Sequence, residues 1–348
     1  MSIQYIYRIL NKSISLFSDD PELLQAFDMD YSWFEQKQEQ QIKCDINIRL
    51  KKNILKINQI EVNISDHPKP IHYAIQVIVS EIMSRLKDFY LIHGGVVKKE
   101  DALIVLSGPP GIGKSTLVRE LVNNGYSFFS DDCAPLHKQS GLIYPFPRSM
   151  WIVDESSSKK NISVRSKRAI SVKKFNENIE KKPAKPKILI CLVDNLSPNQ
   201  TIHLNLSLKT FENPLREKLE GMTNIEIHQR HHLHPEYRIS YETSDEISKT
   251  IHKACKEHSK HLWQIYRVNP PRLFFNRLSS IMSISAHQAA ASIIPEMKVF
   301  DSFLSSTMKG STMMSLLKIS KHFQDTKCYF LTTGSLASEL KSIQSILS

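Results

Sequence analysis

The chain has 348 residues, of which 41% are hydrophobic, and its 46 Lys and Arg exceed its 35 Asp and Glu to give a formal net charge of +11. This length allows one large α/β domain or two smaller ones, and the apolar content predicts a folded chain with a substantial core and excludes a wholly disordered one. The excess positive charge favours an anionic partner such as a nucleotide, a nucleic acid or an acidic peptide.

The first residues and the cysteines favour a soluble protein of a reducing compartment. The opening MSIQYIYRILNKSISLF carries Arg8 and Lys12 inside its apolar run and does not resemble a signal peptide. No uncharged apolar stretch approaches the roughly 18 residues that cross a bilayer, so no membrane partner is expected. The five scattered cysteines form no CxxC pair and are expected to be reduced thiols. We therefore expect a cytoplasmic protein.

Residues 1–88 are predicted to form an N-terminal β-rich region with a linking helix. Short segments with period-two alternation, among them DINIRL, NILKI and IEVNI, indicate an antiparallel sheet of strands joined by turns. From Pro70, the apolar spacing of IHYAIQVIVSEIMSRLKDFY suits a buried helix that ends before Leu91.

Residues 89–348 are predicted to form a second domain that begins with a nucleotide-binding α/β unit. The elements are a strand over Ala102–Leu106, a glycine-rich loop, a helix over Ser115–Val122, a stop at Asn123–Gly125 and a strand over Tyr126–Ser130. A strand, loop, helix and strand in this order are typical of nucleotide-binding folds.

The glycine-rich loop, GPPGIGKS over residues 108–115, matches the pattern G-x-x-x-x-G-K-[ST] in full. Its glycines allow backbone N–H groups to wrap a polyphosphate, so the loop predicts a nucleotide as ligand. Lys114 would reach the β- and γ-phosphates and the Ser115 hydroxyl would hold Mg²⁺. The residues predicted to bind the nucleotide are Gly108, Gly111, Ile112, Gly113, Lys114, Ser115 and Thr116.

Two adjacent carboxylates, Asp131 and Asp132, follow the strand after the predicted helix. At the carboxyl end of that strand they would face the phosphates, where Mg²⁺ and Lys114 make two like charges tolerable. We predict that Asp131 helps to hold the metal and that Asp132 accepts the proton of an attacking hydroxyl. For an isolated Asp-Asp pair, a plain turn or helix cap is the commoner explanation.

The run from His93 through GPPGIGKSTLVRELVNNGYSFFSDDCAPL resembles the catalytic core of HPr kinase/phosphorylase. It also resembles the HPr-kinase-like proteins found with peptide-modification clusters, including lasso-peptide serine kinases and SynChlorMet cassette proteins. The family pattern of a histidine before the P-loop strand, a glycine eleven residues after the P-loop lysine and a terminal Asp-Asp is present as His93, Gly125 and Asp131–Asp132. YPFPRSMWI, ending at Ile152, is similar to the family's proline-arginine segment.

The resemblance implies an HPr-kinase-like P-loop core with a mixed C-terminal extension, and an ATP- and Mg²⁺-dependent kinase as activity. The acceptor it implies is a serine of a peptide or protein, including a ribosomally made precursor peptide. It also implies an acid–base role for Asp132, a place near the reacting phosphate for His93 and a homo-oligomer. Thr116 stands where the family has Glu, and no RGxG signature follows the carboxylates, so a kinase alone is favoured over a bifunctional kinase/phosphorylase and HPr is a doubtful acceptor.

Three other functions stay open. The P-loop is similar to that of switching or mechanical ATPases, although the Asp-Glu strand end and arginine finger of that class are not evident. The net charge allows a nucleic-acid-stimulated ATPase, with nucleic acid the less favoured partner. The same core would also serve a small-molecule kinase that acts on free serine.

Several weaker patterns lie outside the P-loop region. His228, His231, His232 and His234 favour an exposed loop over a metal site. Asp194, after the strand ILICLVD, imitates a Walker B aspartate but is better explained as a strand end. Arg148, Arg272 and Arg277 favour surface or ion-pair roles over phosphate binding. The basic segment 156–187 is predicted to be a solvated, mobile loop that could guide an acidic peptide.

The C-terminal part is predicted to mix strands and helices. Besides ILICLVD, the segment TIHLNLSL indicates a strand, and residues 244–262 and 285–322 are predicted to be helical. CYFLTTG, residues 328–334, predicts a late strand before a last helix.

Overall fold

The computed structural model of the chain describes residues 4–36, 43–65, 67, 69–109, 111–153, 167–193, 201–208, 211–229, 236–242, 245–258, 262–268, 278–294, 297 and 312–347. Within these ranges the fold is mixed α/β, with eight α-helices and several sheets. The helices are α1 (Pro21–Tyr31), α2 (Pro70–Ser84), α3 (Lys114–Asn123), α4 (Pro214–Glu220), α5 (Asp245–Glu257), α6 (Ala286–Ile293), α7 (Thr312–His322) and α8 (Leu336–Ser345).

The strands of the first half are β1 (Gln4–Ile9), β2 (Lys12–Ser18), β3 (Ile46–Lys51), β4 (Ile54–Ile57), β5 (Ile60–Asn63), β6 (Phe89–Ile92), β7 (Gly94–Lys99), β8 (Ala102–Ser107), β9 (Ser127–Ser130), β10 (Ala134–His137) and β11 (Met150–Val153). Those of the second half are β12 (Lys167–Ile170), β13 (Pro186–Val193), β14 (Thr201–Leu208), β15 (Glu226–Gln229), β16 (Glu236–Glu242), β17 (Leu262–Val268), β18 (Ile281–Ile284) and β19 (Lys327–Thr332). No helix of the described part of the chain is both long and apolar enough to span a membrane.

The N-terminal sheet has five strands in the order β1-β2-β3-β4-β5. The predicted strands are confirmed, but the prediction of an antiparallel sheet is wrong at one place, because β2 and β3 are parallel. A parallel pair needs a crossover connection, and α1 supplies it between the two strands.

Helix α1 was not predicted, although its sequence carries two signals for it. The side chain of Asp20 caps the helix by accepting the Glu22 N–H at 2.8 Å, and Pro21 stands at the first helical position. Leu23, Phe27 and Tyr31, spaced four residues apart, are buried on one face. Together with the predicted α2, this face covers the apolar side of the sheet.

The described chain divides into two compact units. Unit 1 comprises Met1–Gly108, Lys114–Cys191 and Met282–Phe330, and unit 2 comprises Pro109–Gly113, Leu192–Ile281 and Leu331–Ser348. The domain boundary expected after residue 88 stays a prediction.

Most of the central six-stranded sheet, in the order β18-β19-β13-β8-β7-β9, belongs to unit 1. Strand β8 is parallel to β13 and antiparallel to β7, which is in turn antiparallel to β9. β8 and β9 therefore run in the same direction, and their carboxyl ends share one edge of the sheet with the start of β7. The predicted succession of strand, loop, helix and strand is present as β8, α3 and β9.

Two glycines at the start of β7 allow the neighbouring elements to come close. A Cβ on Gly94 would stand 2.6 Å from the backbone oxygen of Leu106, and a Cβ on Gly95 would stand 2.3 Å from Cγ2 of Val118 in α3. Both distances are too short for a real side chain, so glycine is required where β7 meets β8 and α3.

The basic segment is structured where the structure describes it, and there the prediction of a solvated loop is wrong. Lys167–Ile170 is a strand paired with β11, and Val172–Asn178 is a 3₁₀ helix. Val172 and Ile179 are buried, and the ring of Phe175 lies 4.9 Å from that of Phe128. Apolar anchors hold the segment, while the cationic residues described as exposed are Arg168, Lys173, Lys174, Lys181, Lys182, Lys185 and Lys187. Residues 154–166 lie outside the described residues.

Unit 2 contains an antiparallel four-stranded sheet in the order β15-β16-β14-β17. α4 and α5 cover it, with Leu215, Ile239 and Ile251 in the shared core. The predicted strands TIHLNLSL and CYFLTTG, the helix near 244–262 and the last helix are confirmed as β14, β19, α5 and α8. Of the predicted helical stretch 285–322, α6 and α7 are present and residues 298–311 lie outside the described residues.

We expect Gly95→Ala to lower the free energy of unfolding by about 1–3 kcal/mol, because its methyl group would overlap Val118 of α3. The change Val118→Ala removes the methyl groups that the side chain introduced at position 95 would overlap. The double variant should therefore lose less free energy of unfolding than the sum of the losses in the two single variants. Urea unfolding of the four proteins measures the coupling.

Gly94→Ala is the matched control, because its methyl group would meet backbone rather than a side chain. Val118→Ala should leave the loss from Gly94→Ala unchanged. Strictly additive effects of the Gly95 and Val118 changes would contradict the close approach of α3 to β7.

Candidate functional site

The two adjacent carboxylates lie in a tight turn that begins where β9 ends. The buried Ser130 hydroxyl donates to the backbone oxygen of Cys133 at 2.7 Å and closes the turn. Asp132 has φ of +69°, in the left-handed region that Asp tolerates better than most residues. The turn sends the two side chains to different places: Asp131 is 2% exposed, whereas the side chain of Asp132 is 47% exposed.

Asp131 is directed into the protein, towards the first turn of α3. The Ser115 hydroxyl donates a hydrogen bond to its carboxylate, and Lys114 lies near enough to stabilise its charge. Its Oδ1 is buried over Gly95 and has no hydrogen-bond partner among the described residues. Burial and the charge of Asp132 raise the pKa of Asp131 to about 6, against the lowering effects of Ser115 and Lys114.

Lys114 opens α3 and is almost completely buried. Its Nζ donates to the backbone oxygen of Gly108 at 2.6 Å. Ser115 and Thr116 follow it in the first turn of α3 and are half-buried.

The predicted nucleotide-binding loop adopts conformations that depend on glycine. Gly111 and Gly113 have φ of +80° and +95°, which side chains rarely adopt. The N–H of Ile112 donates to the backbone oxygen of Pro109 at 3.2 Å and closes a turn within the loop. Pro110 lies outside the described residues.

The exposed carboxylate of Asp132 lies between two cationic or potentially cationic side chains. Nε2 of His93, directly before β7, is 3.3 Å from its Oδ1. Nη1 of Arg148, two residues before β11, is 3.9 Å from its Oδ2. Three segments that are distant in sequence thus meet at the sheet edge where β9 ends and β7 begins.

Arg148 is largely buried, with 15% of its side chain exposed, and is held by two residues that the sequence analysis did not select. Its Nη2 donates to Oδ2 of Asp30 at 2.8 Å, and its Cζ lies 4.9 Å from the ring centroid of Tyr31. Burial alone would lower the pKa of Arg148, but Tyr31, Asp30 and Asp132 raise it on balance, so the guanidinium stays charged. The predicted ion-pair role of Arg148 is confirmed. No local signal identifies Asp30, because it lies 118 residues from its partner.

The remaining predicted residues do not join this cluster within the described part of the chain. Asp194, Arg272, Arg277 and three of the four clustered histidines lie outside the described residues. His228 is exposed, with Nε2 3.6 Å from Glu226. None of the five cysteines, all of which lie in described segments, forms a disulfide.

The donor set at Asp131 fits a magnesium ion. A carboxylate with an unpartnered buried oxygen stands beside the Ser115 hydroxyl, and oxygen donors of this kind are those that Mg²⁺ prefers. Among the described residues, no three His, Cys, Asp or Glu side chains cluster as they would around a fully protein-bound metal.

Comparison with known proteins does not place this chain in a family. No protein-family model matches it, and no curated protein matches it. Among solved structures, the HPr(Ser) kinase/phosphatase from Coxiella burnetii is similar to it, at 13% sequence identity and a TM-score of 0.24, over 49% of this chain and 92% of that chain. A likeness at this TM-score carries no argument about function, so the resemblance of residues 93–152 rests on the sequence alone.

We expect Asp131→Asn to stabilise the protein at pH 7.5 and to have little effect at pH 4. The pKa of Asp131 is raised in the folded state, so its ionisation opposes folding as pH rises from about 4 to about 6. Above pH 6, the free energy of unfolding of Asp131→Asn should exceed that of the parent by on the order of 2–3 kcal/mol. Urea unfolding at the two pH values measures the difference.

Asp101→Asn is the matched control, because Asp101 is exposed in the turn between β7 and β8. Its effect should be within about 0.5 kcal/mol at both pH values. A gain from Asp131→Asn that is equal at pH 4 and pH 7.5 would show that charge at this position is not what opposes folding.

Proposed function

We propose that the protein is an ATP- and Mg²⁺-dependent kinase that transfers the γ-phosphate to a hydroxyl group, that of a serine in a peptide or protein. The observation that carries the proposal is the position of Asp132. The carboxylate of Asp132 is accessible and lies between His93 and Arg148. The preceding residue, Asp131, is buried and accepts a hydrogen bond from Ser115 of the P-loop sequence.

ATP binding is assigned to residues 108–116. The loop glycines let backbone N–H groups approach a polyphosphate, and Lys114 would exchange its bond to Gly108 for bonds to phosphate oxygens. Asp131 and Ser115 would hold Mg²⁺, which when bound neutralises phosphate charge. The raised pKa of Asp131 fits this role, because a cation would favour its ionised form.

Phosphoryl transfer is assigned to the cluster around Asp132. The acceptor hydroxyl oxygen forms a bond to the γ-phosphorus while the bond from that phosphorus to ADP breaks, and Asp132 takes the hydroxyl proton. Lys114, His93 and Arg148 supply positive charge or hydrogen bonds to the transferring group. The half-exposed side chain of Asp132 leaves room for an acceptor, as a base for an external hydroxyl requires.

A serine of a peptide or protein is proposed as acceptor because residues 93–152 resemble kinases that act on such serines. The outward-facing cations of residues 168–187 are compatible with a peptide that carries acidic side chains. Free serine and simple ATP hydrolysis are the competing outcomes of the test.

The test is incubation of the purified protein with γ-labelled ATP, Mg²⁺ and an array of serine-containing peptides with acidic, neutral or basic flanks. We expect label on serine in the parent and a loss of about 10²-fold or more in Asp132→Asn. Asn tolerates the left-handed conformation of position 132, so this change removes the base without straining the turn. Lys114→Ala should abolish transfer and weaken binding of a fluorescent ATP analogue.

Asp101→Asn serves again as control and should retain parental transfer, because its exposed carboxylate lies in the β7–β8 turn. Asp132→Asn should bind the ATP analogue as the parent does. Transfer that survives both Asp132→Asn and Lys114→Ala would exclude the mechanism. ATP hydrolysis without acceptor labelling, stimulated by DNA or RNA, would favour a nucleic-acid-dependent ATPase, and labelling of free serine alone would redefine the acceptor.

A further inference from the structure

A single guanidinium group lies between two carboxylates of very different surroundings. Nη2 of Arg148 is hydrogen-bonded to Asp30 at 2.8 Å, whereas Nη1 stops 3.9 Å from Asp132, beyond hydrogen-bonding distance. Asp30 is nearly buried and Asp132 is half-exposed. The guanidinium is thus hydrogen-bonded to the nearly buried Asp30 and points towards the accessible Asp132 without a hydrogen bond to it.

The anchor belongs to the last turn of α1, and that turn holds the segment around Arg148 by three contacts. Besides the ion pair with Asp30, the guanidinium lies over the ring of Tyr31, and the Ser149 hydroxyl donates to the backbone oxygen of Met29 at 2.6 Å. Tyr31 itself is fixed by stacking on Phe27, with ring centroids 4.6 Å apart. Arg148 therefore receives its orientation from the N-terminal helix.

The same segment is tied on its other side to the strand that carries the aspartates. The N–H of Phe146 donates to the backbone oxygen of Phe129, two residues before Asp131, at 3.1 Å. The ring of Phe146 packs against Phe34, which follows α1, at 5.3 Å. Residues 146–149 consequently bridge β9 and α1.

We propose that Asp30 is a positioning residue that acts through Arg148 and keeps the guanidinium directed at Asp132 without a hydrogen bond to it. The proposal rests on the proposed function, because it concerns the base of that reaction. A buried cation needs an anionic partner, and without Asp30 the remaining carboxylate beside Arg148 is that of Asp132. Arg148 would then close the gap and occupy Oδ2 of the residue that has to accept the hydroxyl proton.

The pair with Asp30 has little redundancy. Oδ1 of Asp30 and Nε of Arg148 are buried and have no hydrogen-bond partner among the described residues, so a single N–H···O hydrogen bond joins the guanidinium to Asp30. Without that hydrogen bond the guanidinium keeps the ring of Tyr31 as a contact with α1, but the ring carries no negative charge, so Asp132 becomes its anionic partner.

The experiment measures kcat and KM of the full chain for ATP and for the best peptide of the array, in Asp30→Asn and Arg148→Lys. We expect Asp30→Asn to lower kcat by about 10–100-fold with KM for ATP within about twofold, because the P-loop residues are untouched. Arg148→Lys should behave similarly, since one ammonium group cannot span both carboxylates as a planar fork does. In the double variant the losses should not multiply, because both changes break the same link.

Asp28→Asn is the matched control in the same helix. Asp28 forms an ion pair with Lys173 at the same 2.8 Å distance, but both partners are substantially exposed. Its removal should leave kcat within about twofold. An equal loss from Asp28→Asn and Asp30→Asn would mean that α1 acts only as a structural support, and would overturn the proposal.

A crystal structure of Asp30→Asn gives a readout that does not depend on activity. We expect Arg148 to reach within about 3.2 Å of Asp132, and a guanidinium that stays in place would overturn the positioning role. If Asp30→Asn does not fold, the structure and kinetics of Arg148→Lys test the same link. A parental protein that labels no acceptor would reject the proposed kinase, while the movement of Arg148 in the variant crystal would still test the positioning role.

Discussion

A carboxylate buried in a protein interior requires nearby hydrogen-bond donors or positive charge, and much of the site depends on how Asp131 meets this requirement. Ser115 and Lys114 lie at the start of α3, so they reach Asp131 only if α3 packs tightly on the sheet. Gly95 permits that packing, because any side chain there would push Val118 away. A glycine in β7 thereby determines whether a serine, a lysine and an aspartate from two other elements can interact.

The direction of the strands extends this arrangement to Asp132. Because β8 and β9 run the same way and β7 runs between them in the opposite direction, the residues after β8 and β9 and before β7 share one edge. His93 and Asp132 are neighbours for this reason, although 39 positions separate them (132 minus 93). The turn closed by Ser130 then separates the two aspartates, with one carboxylate inside and one accessible.

The sequence predicts those parts of the fold that depend on short-range patterns. Period-two alternation predicts β3, β4 and β5, and apolar spacing predicts α2. The loop over residues 108–115 is likewise recognised from a short sequence pattern. The parallel pairing of β2 with β3 was missed because α1, whose capping and four-residue spacing were present in the sequence, was not recognised. The link between Asp30 and Arg148 was beyond prediction, since it depends on how α1 packs rather than on any motif. The prediction of a solvated loop is wrong for residues 167–187, because the high charge of the segment outweighs, in a sequence pattern, the few apolar residues that are buried.

The bridging position of residues 146–149 has a consequence for how this protein has evolved. Because the guanidinium of Arg148 lies between the half-exposed Asp132 and the nearly buried Asp30, a substitution at position 148 affects both aspartates. Among relatives that share α1, a neutral residue at position 148 should be accompanied by a neutral residue at position 30, since a lone buried acid is harder to keep than a matched pair. The amino-terminal helix and the sheet edge that carries Asp132 would then change together.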